Sequence, residues 1–475
     1  MAREVNADVC VIGAGSAGLT AAWIAAQAGA KTVLIERGEM GGECLNTGCV
    51  PSKALLAAAF RARHAETARP FGVAAEPRVD FAKVHAHVHE VIAAIAPHDS
   101  VERFERLGVE VIREEARFVG ARELTAGNVR ISARRVVIAT GSAPKVPDLE
   151  GLGDVPYFTN ETIFDNAELP GHLVVIGGGP LGIELAQAHR RLGSRVTVLV
   201  TSSAMDKDEP ELAAVLLKRL AEEGVAIREK AQVKRIEAKN SGIVLHLEEA
   251  HQQAQVEATH LLVATGRTPR LRSLELERAG VACDDKGISV DERLQTSAKG
   301  VYAIGDVVKG GPQFTHIAGY QAGIAMRNAL FRWPAKVDYR SLPWVTYTDP
   351  ELAHTGMTEA QARKEHGDDV RVICLPFAEN DRAQAERETE GRIKIVTRRN
   401  GHVLGASIVG ARAGEMIHTW VLAIGQKLKL KHVASMIAPY PTMGELNKQV
   451  ASEFYKEMLS SPWVRRLVRA LLRLP

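Results

Sequence analysis

Cys44 and Cys49 stand with four residues between them in GGECLNTGCVPSK (Gly41–Lys53). Two thiols at that spacing can form a structural disulfide, hold a metal, or cycle between dithiol and disulfide. A zinc site is disfavoured, because neither a CxxC spacing nor a second ligand pair accompanies them. Cys49 leads into Val50-Pro51-Ser52-Lys53 and then ALLAAAFRARHA, which predicts a helix with proline in its first turn. A cysteine at a helix N-terminus meets the positive end of the dipole, which lowers its pKa. Gly48 and the Gly41-Gly42 pair predict a loop that folds back and brings the sulfurs within bonding reach. The favoured chemistry is a cycling pair, one thiol exposed for exchange and one held at a helix end. An inert structural disulfide is the alternative.

Electrons passed to such a pair need a donor, and the sequence offers places to bind one. DVCVIGAGSAGLTAAWIAAQAGAKTVLIER (Asp8–Arg37) and HLVVIGGGPLGIELAQAHRRLGSRVTVLVT (His172–Thr201) share one plan. Each reads as an apolar strand, a glycine turn, an amphipathic helix and a second apolar strand, the βαβ dinucleotide fingerprint. The helix N-terminus in each would face the pyrophosphate with its free N–H groups. A single glycine turn is weak evidence; two in full strand–turn–helix context are strong. The first unit ends at Glu36, a carboxylate suited to a ribose 2′-hydroxyl. The second ends at Val200, followed by Thr201, Ser202 and Ser203, so nothing acidic there would repel a 2′-phosphate. With Lys207 as a nearby cation, NADPH is favoured over NADH.

Strands ending in Ala-Thr-Gly (Arg134–Ser142 and His260–Pro269) and in Gly-Asp (Gly300–Val308) bracket this duplication. The expected fold class is α/β, with two Rossmann-like βαβ nucleotide-binding domains and a C-terminal α+β domain. The first nucleotide domain is split, 1–146 plus 268–345, with the second inserted at 147–267. The α+β domain covers 346–460, and a basic tail follows at 461–475. Composition agrees with several globular domains: 475 residues, 46% apolar and 25% charged. A net charge of +3 gives no nucleic-acid signal. Cys10, inside VCVIG, reads as a small buried strand residue. Five scattered cysteines argue against a secreted disulfide scaffold. No apolar run is long enough to span a membrane, and the N-terminus shows no leader pattern. A cytoplasmic protein is expected.

GGECLNTGCVPSK, the two βαβ units, both Ala-Thr-Gly turns and GVYAIGDV together resemble the flavoprotein disulfide reductases, a group that includes dihydrolipoamide dehydrogenase, glutathione reductase and mercuric reductase. The resemblance runs to about residue 460. It implies a homodimer, with 346–460 as the dimerisation domain. It also implies FAD bound through Gly13, Gly15, Ser16, Gly18, Glu36, Arg37, Gly42, Ala116, Thr140, Gly141, Ser142 and Asp306. Phe314, Thr315 and His316 would lie near the flavin, although a packing role for His316 is equally open. NAD(P)H would be held by Gly177, Gly179, Gly182, Val200 and Gly266. Cys49 would face the flavin and Cys44 would exchange with the acceptor. Lys53, paired with Glu184, would sit beside the flavin and stabilise its reduced, anionic form.

The sequence departs from the dithiol-handling members near its end. Where they carry His-Pro-Thr followed by Glu, this chain reads Tyr440-Pro441-Thr442-Met443-Gly444-Glu445. In those members the histidine, oriented by the glutamate, serves the other subunit as acid/base. An imidazole near ~6.5 shuttles protons at neutral pH, whereas a phenol near ~10 does not. Mercuric reductases share the tyrosine, and PQFTHIAGYQAG and VTYTDPELAHTG resemble that branch more than glutathione reductase. Those enzymes, however, carry a C-terminal cysteine pair, and here no cysteine follows Cys374. The expected function is electron transfer from NAD(P)H through FAD and the dithiol to a small thiol-reactive acceptor, a disulfide or a thiol-bound soft metal ion. Dihydrolipoamide dehydrogenase activity despite Tyr440, or electron transfer to a quinone at a membrane surface, are the rivals.

Two further segments raise other chemistry. In HAHVHE, His85 and His89 share a helix face, but no third ligand is evident, and a solvated or subunit-facing helix is expected. SSPWVRRLVRALLRLP predicts a helix with Trp463, Val464, Leu467, Val468, Leu471 and Leu472 on one face and Arg465, Arg466, Arg469 and Arg473 on the other. Packing on its own subunit or on the dimer mate is the favoured reading. Contact with the inner face of a membrane is the alternative.

Overall fold

The computed structural model describes residues 3–239, 242–331 and 333–474. Its first sheet grows from Arg3–Ile12, whose second half is buried. Such continuous apolar runs suit a parallel sheet covered on both faces. Thr32–Ile35 and then Val109–Ile112 pair on one side and Val129–Ile138 on the other, all parallel. The far edge of Val129–Ile138 is shared. Glu123–Ala126 pairs antiparallel with its first half, and Val301–Ala303 pairs parallel with its second. The chain therefore leaves this sheet, builds another unit, and returns at residue 301 to complete it.

The intervening sheet is all parallel in the order Val225–Glu229, Arg195–Val200, His172–Ile176 and His260–Val263. A three-stranded antiparallel meander, Ala231–Lys239, Gly242–Glu249 and Gln252–Ala258, packs on it through Val233, Leu245 and Leu261. In both parallel sheets the central strand ends at a glycine turn that opens a helix, Ser16–Gln27 or Pro180–Leu192. Ligands of such sheets bind off the carboxyl ends of the strands. The third unit is a five-stranded antiparallel sheet in the order Pro343–Thr346, Glu351–Gly356, Val403–Gly410, Arg392–Arg398 and Val370–Pro376. Helices His418–Gly425 and Glu445–Ser460 join its core, locked by Trp420, whose indole N–H donates to Asn447 Oδ1 at 2.7 Å. Two α/β nucleotide-binding units and an α+β unit are the fold class expected from the sequence.

The second and third units are bolted together. Arg191, on helix Pro180–Leu192, is 1% exposed and donates to Glu223 at 2.6 Å and to Asp349 at 2.9 Å. Gln187 brackets the same loop, donating to the Asp349 carbonyl and accepting from its amide, each at 2.8 Å. Arg191→Met would strand the buried Glu223 carboxylate, a loss of about 3–5 kcal/mol for a broken buried pair. A clear fall in the thermal unfolding midpoint is the expected result; an unchanged midpoint would contradict this reading of the cluster.

One expectation needs refinement. The segment between the cysteines is not all loop: Leu45 and Asn46 end a short helix, Gly42–Asn46, that carries Cys44, and Thr47 and Gly48 make the turn back to Cys49. Glu43 favours the first turn of that helix, and the Asn46 side chain donates back to the Gly42 carbonyl at 2.8 Å. The tail does form a helix, Pro462–Leu471, and none of its residues is buried within this chain.

Candidate active site

Cys49 is the first residue of helix Cys49–Glu66, and Cys44 lies in the short helix just before it. Both are free thiols, the reduced form of the pair. The two thiols lie close enough to govern each other's ionisation. Cys49 Sγ also lies 3.4 Å from the Thr315 hydroxyl, at the first turn of helix Thr315–Met326. The Cys44 thiol does most to bring Cys49 down to about 6; Thr315 and the Lys53 charge assist, against burial and Glu184. Cys44 moves the other way, raised by Cys49 and by burial. At neutral pH the pair thus holds one proton on Cys44 and a thiolate on Cys49. Cys44→Ala removes the largest of these influences. The pH midpoint for alkylation of Cys49 in the reduced protein should rise from about 6 towards that of an ordinary thiol; an unmoved midpoint would assign the shift to Lys53 and Thr315 instead.

One helical turn on, Lys53 donates to Glu184 Oε2 at 2.8 Å, across 131 residues of sequence. Glu184 is 4% exposed on its side chain, and its other oxygen accepts from the Tyr347 amide at 2.9 Å. The Lys53 ammonium stands 4.5 Å over the Tyr347 ring, so three units meet at this cation. A second network anchors the cysteine loop. Glu43 receives a bidentate Arg267 guanidinium and the Asn160 amide, the latter at 2.8 Å. Arg267 Nε donates to Ser142 Oγ at 2.7 Å, and Ser142 donates to Asp306 Oδ2 at 2.6 Å. Ser142–Pro144 and Arg267–Pro269 pair antiparallel, and the Lys145 amide donates to the Gly266 carbonyl at 2.8 Å. The two Ala-Thr-Gly turns are thereby joined beside the cysteines. Sequence reasoning missed Glu43, Arg267, Asn160 and Tyr347; an arginine directly after an Ala-Thr-Gly turn was the one available signal.

Helix Ser16–Gln27 starts at Gly15 with no side-chain cap, leaving its first N–H groups for an anion. Gly13 has φ +102°, and a Cβ on Gly18 would overlap the Gly13 carbonyl oxygen. The Glu36 carboxylate closes the turn, accepting from the Ala14 and Gly38 amides at 2.6 Å each. Arg37 pairs at 2.8 Å with Glu115, the residue before Ala116. Gly42 packs against Gly15, and Ser16 lies near enough to Cys44 to favour its thiolate, so this cradle abuts the redox pair. Helix Thr315–Met326, entered through Phe314, is likewise uncapped. Thr140 donates to the Arg270 carbonyl at 2.8 Å, and Gly141 has φ +68°. These residues fit FAD. In the second unit Gly177 has φ +126°, helix Pro180–Leu192 starts uncapped at Gly179, and a Cβ on Gly182 would overlap the Gly177 carbonyl. Val200 ends the adjoining strand against Gly178, an arrangement that fits a nicotinamide dinucleotide.

Other candidates fall elsewhere. Tyr440 is 69% exposed and donates to Asp381 Oδ2 at 2.8 Å, which holds its phenol above the ordinary value. Its partner within the chain is this aspartate, not the cysteine pair. Glu445 opens helix Glu445–Ser460. The His316 ring stacks on Phe314 and hydrogen-bonds the Pro343 carbonyl at 2.9 Å; burial lowers its pKa. His85 and His89 are hydrogen-bonded at 3.0 Å, and His89 lies 3.2 Å from the Phe164 carbonyl, so this helix is packed rather than fully solvated. Among the described residues no group of three or more His, Cys, Asp and Glu could hold a metal.

A thiolate at a helix start, a lysine held by a buried carboxylate and two uncapped glycine turns define a flavin- and pyridine-nucleotide-dependent disulfide oxidoreductase. The chain belongs to the pyridine nucleotide-disulphide oxidoreductase family, whose model matches residues 7–322, with the family's dimerisation domain at 342–451. It is 35% identical over 461 residues to a mercuric reductase from Staphylococcus aureus, covering 96% of this chain and 84% of that one. To a dihydrolipoyl dehydrogenase from Geobacillus stearothermophilus it is 36% identical, covering 94% and 96%. Its fold superposes on the Cu(II) complex of the HOCl-induced flavoprotein disulfide reductase RclA from Escherichia coli with a TM-score of 0.84 at 30% identity, covering 94% of this chain and 99% of that one. Like its family it is an FAD-containing, NAD(P)H-dependent oxidoreductase and a homodimer. No helix among the described residues is long and apolar enough to cross a membrane.

Proposed function

We propose that this protein passes electrons from NAD(P)H to a small thiol-reactive acceptor, a low-molecular-weight disulfide or a thiol-bound soft metal ion, with Cys44 as the exchanging thiol. FAD would be held by the Gly13–Gly18 turn, Glu36 and Asp306, and it supplies two-electron exchange between reduced nicotinamide and a dithiol. The chain's own residues do the rest. Cys49 keeps its thiolate at the helix start, and Lys53 holds a positive charge beside it, fixed by Glu184 and Tyr347. Cys44 attacks one sulfur of the acceptor as its proton passes to Cys49. Cys49 then gives that proton to the first departing thiolate and closes on Cys44, releasing the second half of the acceptor as a thiolate that takes its proton from water. One disulfide has been exchanged for two thiols. For a metal, the same two sulfurs offer a soft ligand pair.

Tyr440 carries the choice of acceptor. With its phenol raised further by the bond to Asp381, it donates a hydrogen bond and does not accept a proton at neutral pH. In a homodimer Tyr440 and Glu445 would serve the cysteine pair of the other subunit, positioning an acceptor rather than deprotonating a dithiol. The mercuric reductase relatives and the copper complex of RclA support a metal among the acceptors. The dihydrolipoyl dehydrogenase relatives support the second reading, turnover of dihydrolipoamide. NADPH is favoured because Val200 runs into Thr201, Ser202 and Ser203 without an acidic residue, the Glu229 carboxylate opposite Val200 is taken up by the Ala204 amide at 2.7 Å, and Lys207 stands exposed in the next turn.

A panel of lipoamide, glutathione disulfide, Hg(II)-thiol, Cu(II) and quinone acceptors, followed by NADPH and NADH oxidation, tests this reading. Fastest turnover is expected with a metal–thiol complex or a small disulfide; quinone-only turnover would overturn it. Tyr440→His restores a group that titrates near ~6.5 and should raise dihydrolipoamide turnover at least about tenfold, within the range of general base catalysis. No gain would mean that Tyr440 does not limit proton transfer.

A further inference from the structure

The tail helix Pro462–Leu471 has no buried residue, and its chemistry is divided with unusual sharpness. At about 100° per residue, Trp463, Leu467, Val468, Leu471 and Leu472 fall within one half of the circumference. Arg465, Arg466, Arg469 and Arg473 fall in the other. Trp463 is 60% exposed and Leu472 80% exposed, and every arginine of the helix is exposed. An apolar face of this size left open on a protein surface marks a place of interaction.

Three observations say what covers it. From Leu459 to Pro475 the sequence holds four arginines and no carboxylate, so the face it meets must be anionic. The family's dimerisation domain matches residues 342–451, so the tail lies outside the segment that the family shares. The helix is also far too short to span a bilayer, yet long enough to lie flat, with its apolar half among the acyl chains and its guanidinium groups at the phosphates.

We propose that residues 461–475 dock this protein reversibly on an anionic lipid surface, as an interfacial helix that keeps the soluble enzyme at a membrane. Its apolar face gives insertion and its arginines give selection for acidic headgroups, with each basic side chain near the surface strengthening binding about fivefold. The proposal does not depend on which acceptor the active site uses.

Flotation of the full-length holoenzyme with phosphatidylcholine vesicles, with and without about one third phosphatidylglycerol, tests it. Binding to the anionic vesicles should exceed binding to the neutral ones at least about tenfold, and should weaken between ~0.1 M and ~1 M NaCl as the Debye length falls from ~10 Å to ~3 Å. Removing residues 461–475 should abolish it. The variant Arg465→Gln/Arg466→Gln/Arg469→Gln/Arg473→Gln keeps the apolar face, so it should lose about a hundredfold or more in anionic-vesicle affinity. In both, NADPH-to-ferricyanide turnover and the dimer should be unchanged. Equal binding to both vesicle types, or none by the full chain, would overturn the proposal. So would flotation that survives removal of the tail. Loss of the dimer on removing the tail would instead assign this face to the subunit interface.

Discussion

Cys49→Ser is expected to lower NAD(P)H-driven reduction of disulfide or thiol-bound metal acceptors by on the order of 10³-fold or more, the scale on which removing a covalent nucleophile acts. Its hydroxyl cannot hold the negative charge that Cys44, Thr315 and Lys53 stabilise on sulfur at about 6. Ferricyanide, which takes electrons without the dithiol, should still be reduced near the parental rate. Cys44→Ser gives the complementary result. It too should lose acceptor turnover, because no thiol remains to attack the acceptor. It should nevertheless keep the long-wavelength thiolate-to-flavin absorbance, which Cys49→Ser loses. Retained acceptor turnover in either variant would refute a dithiol relay, and the reverse spectroscopic pattern would exchange the roles of the two cysteines.

The two glycine turns separate the cofactors just as sharply. Gly18→Val drives side-chain atoms into the Gly13 carbonyl, and Gly182→Val does the same against Gly177. Main chain cannot move aside as side chains do, so the upper end of overpacking costs applies, about 3 kcal/mol, or roughly a hundredfold in affinity. The Gly18 variant should purify with little or no FAD. The Gly182 variant should purify yellow and be reduced by dithionite, yet need at least a hundredfold more NAD(P)H for the same rate. If both variants lost FAD, or if Gly182→Val bound NAD(P)H normally, the assignment of one cradle to each cofactor would fall.

What the sequence made legible is what neighbouring residues decide. The glycine turns, their flanking strands and the cysteine-bearing helix are set within some thirty residues each, by backbone sterics and side-chain period. Lys53 and Glu184 are 131 residues apart, and only the resemblance to a family could join them. The anchoring of the cysteine loop was not legible at all. Arg267 reaches Glu43 across 224 residues, and nothing local marks either as the other's partner. The same holds for Asp381 beneath Tyr440. The turn at Gly48 was legible, whereas the Gly42–Asn46 helix was not, because its glycines outweighed the Glu43 and Asn46 that stabilise it. The tail helix was legible from its period, but an amphipathic pattern states that a face wants cover, not which surface supplies it.

The central claim is that NAD(P)H electrons arrive at Cys44 and Cys49. Its most direct measurement is differential alkylation of the air-oxidised holoenzyme, before and after anaerobic NADPH, mapped peptide by peptide. The expected result is that Cys44 and Cys49 are both protected before reduction and both labelled after it, with Cys10, Cys283 and Cys374 unchanged. Labelling of Cys44 and Cys49 that is the same in both states would contradict the account.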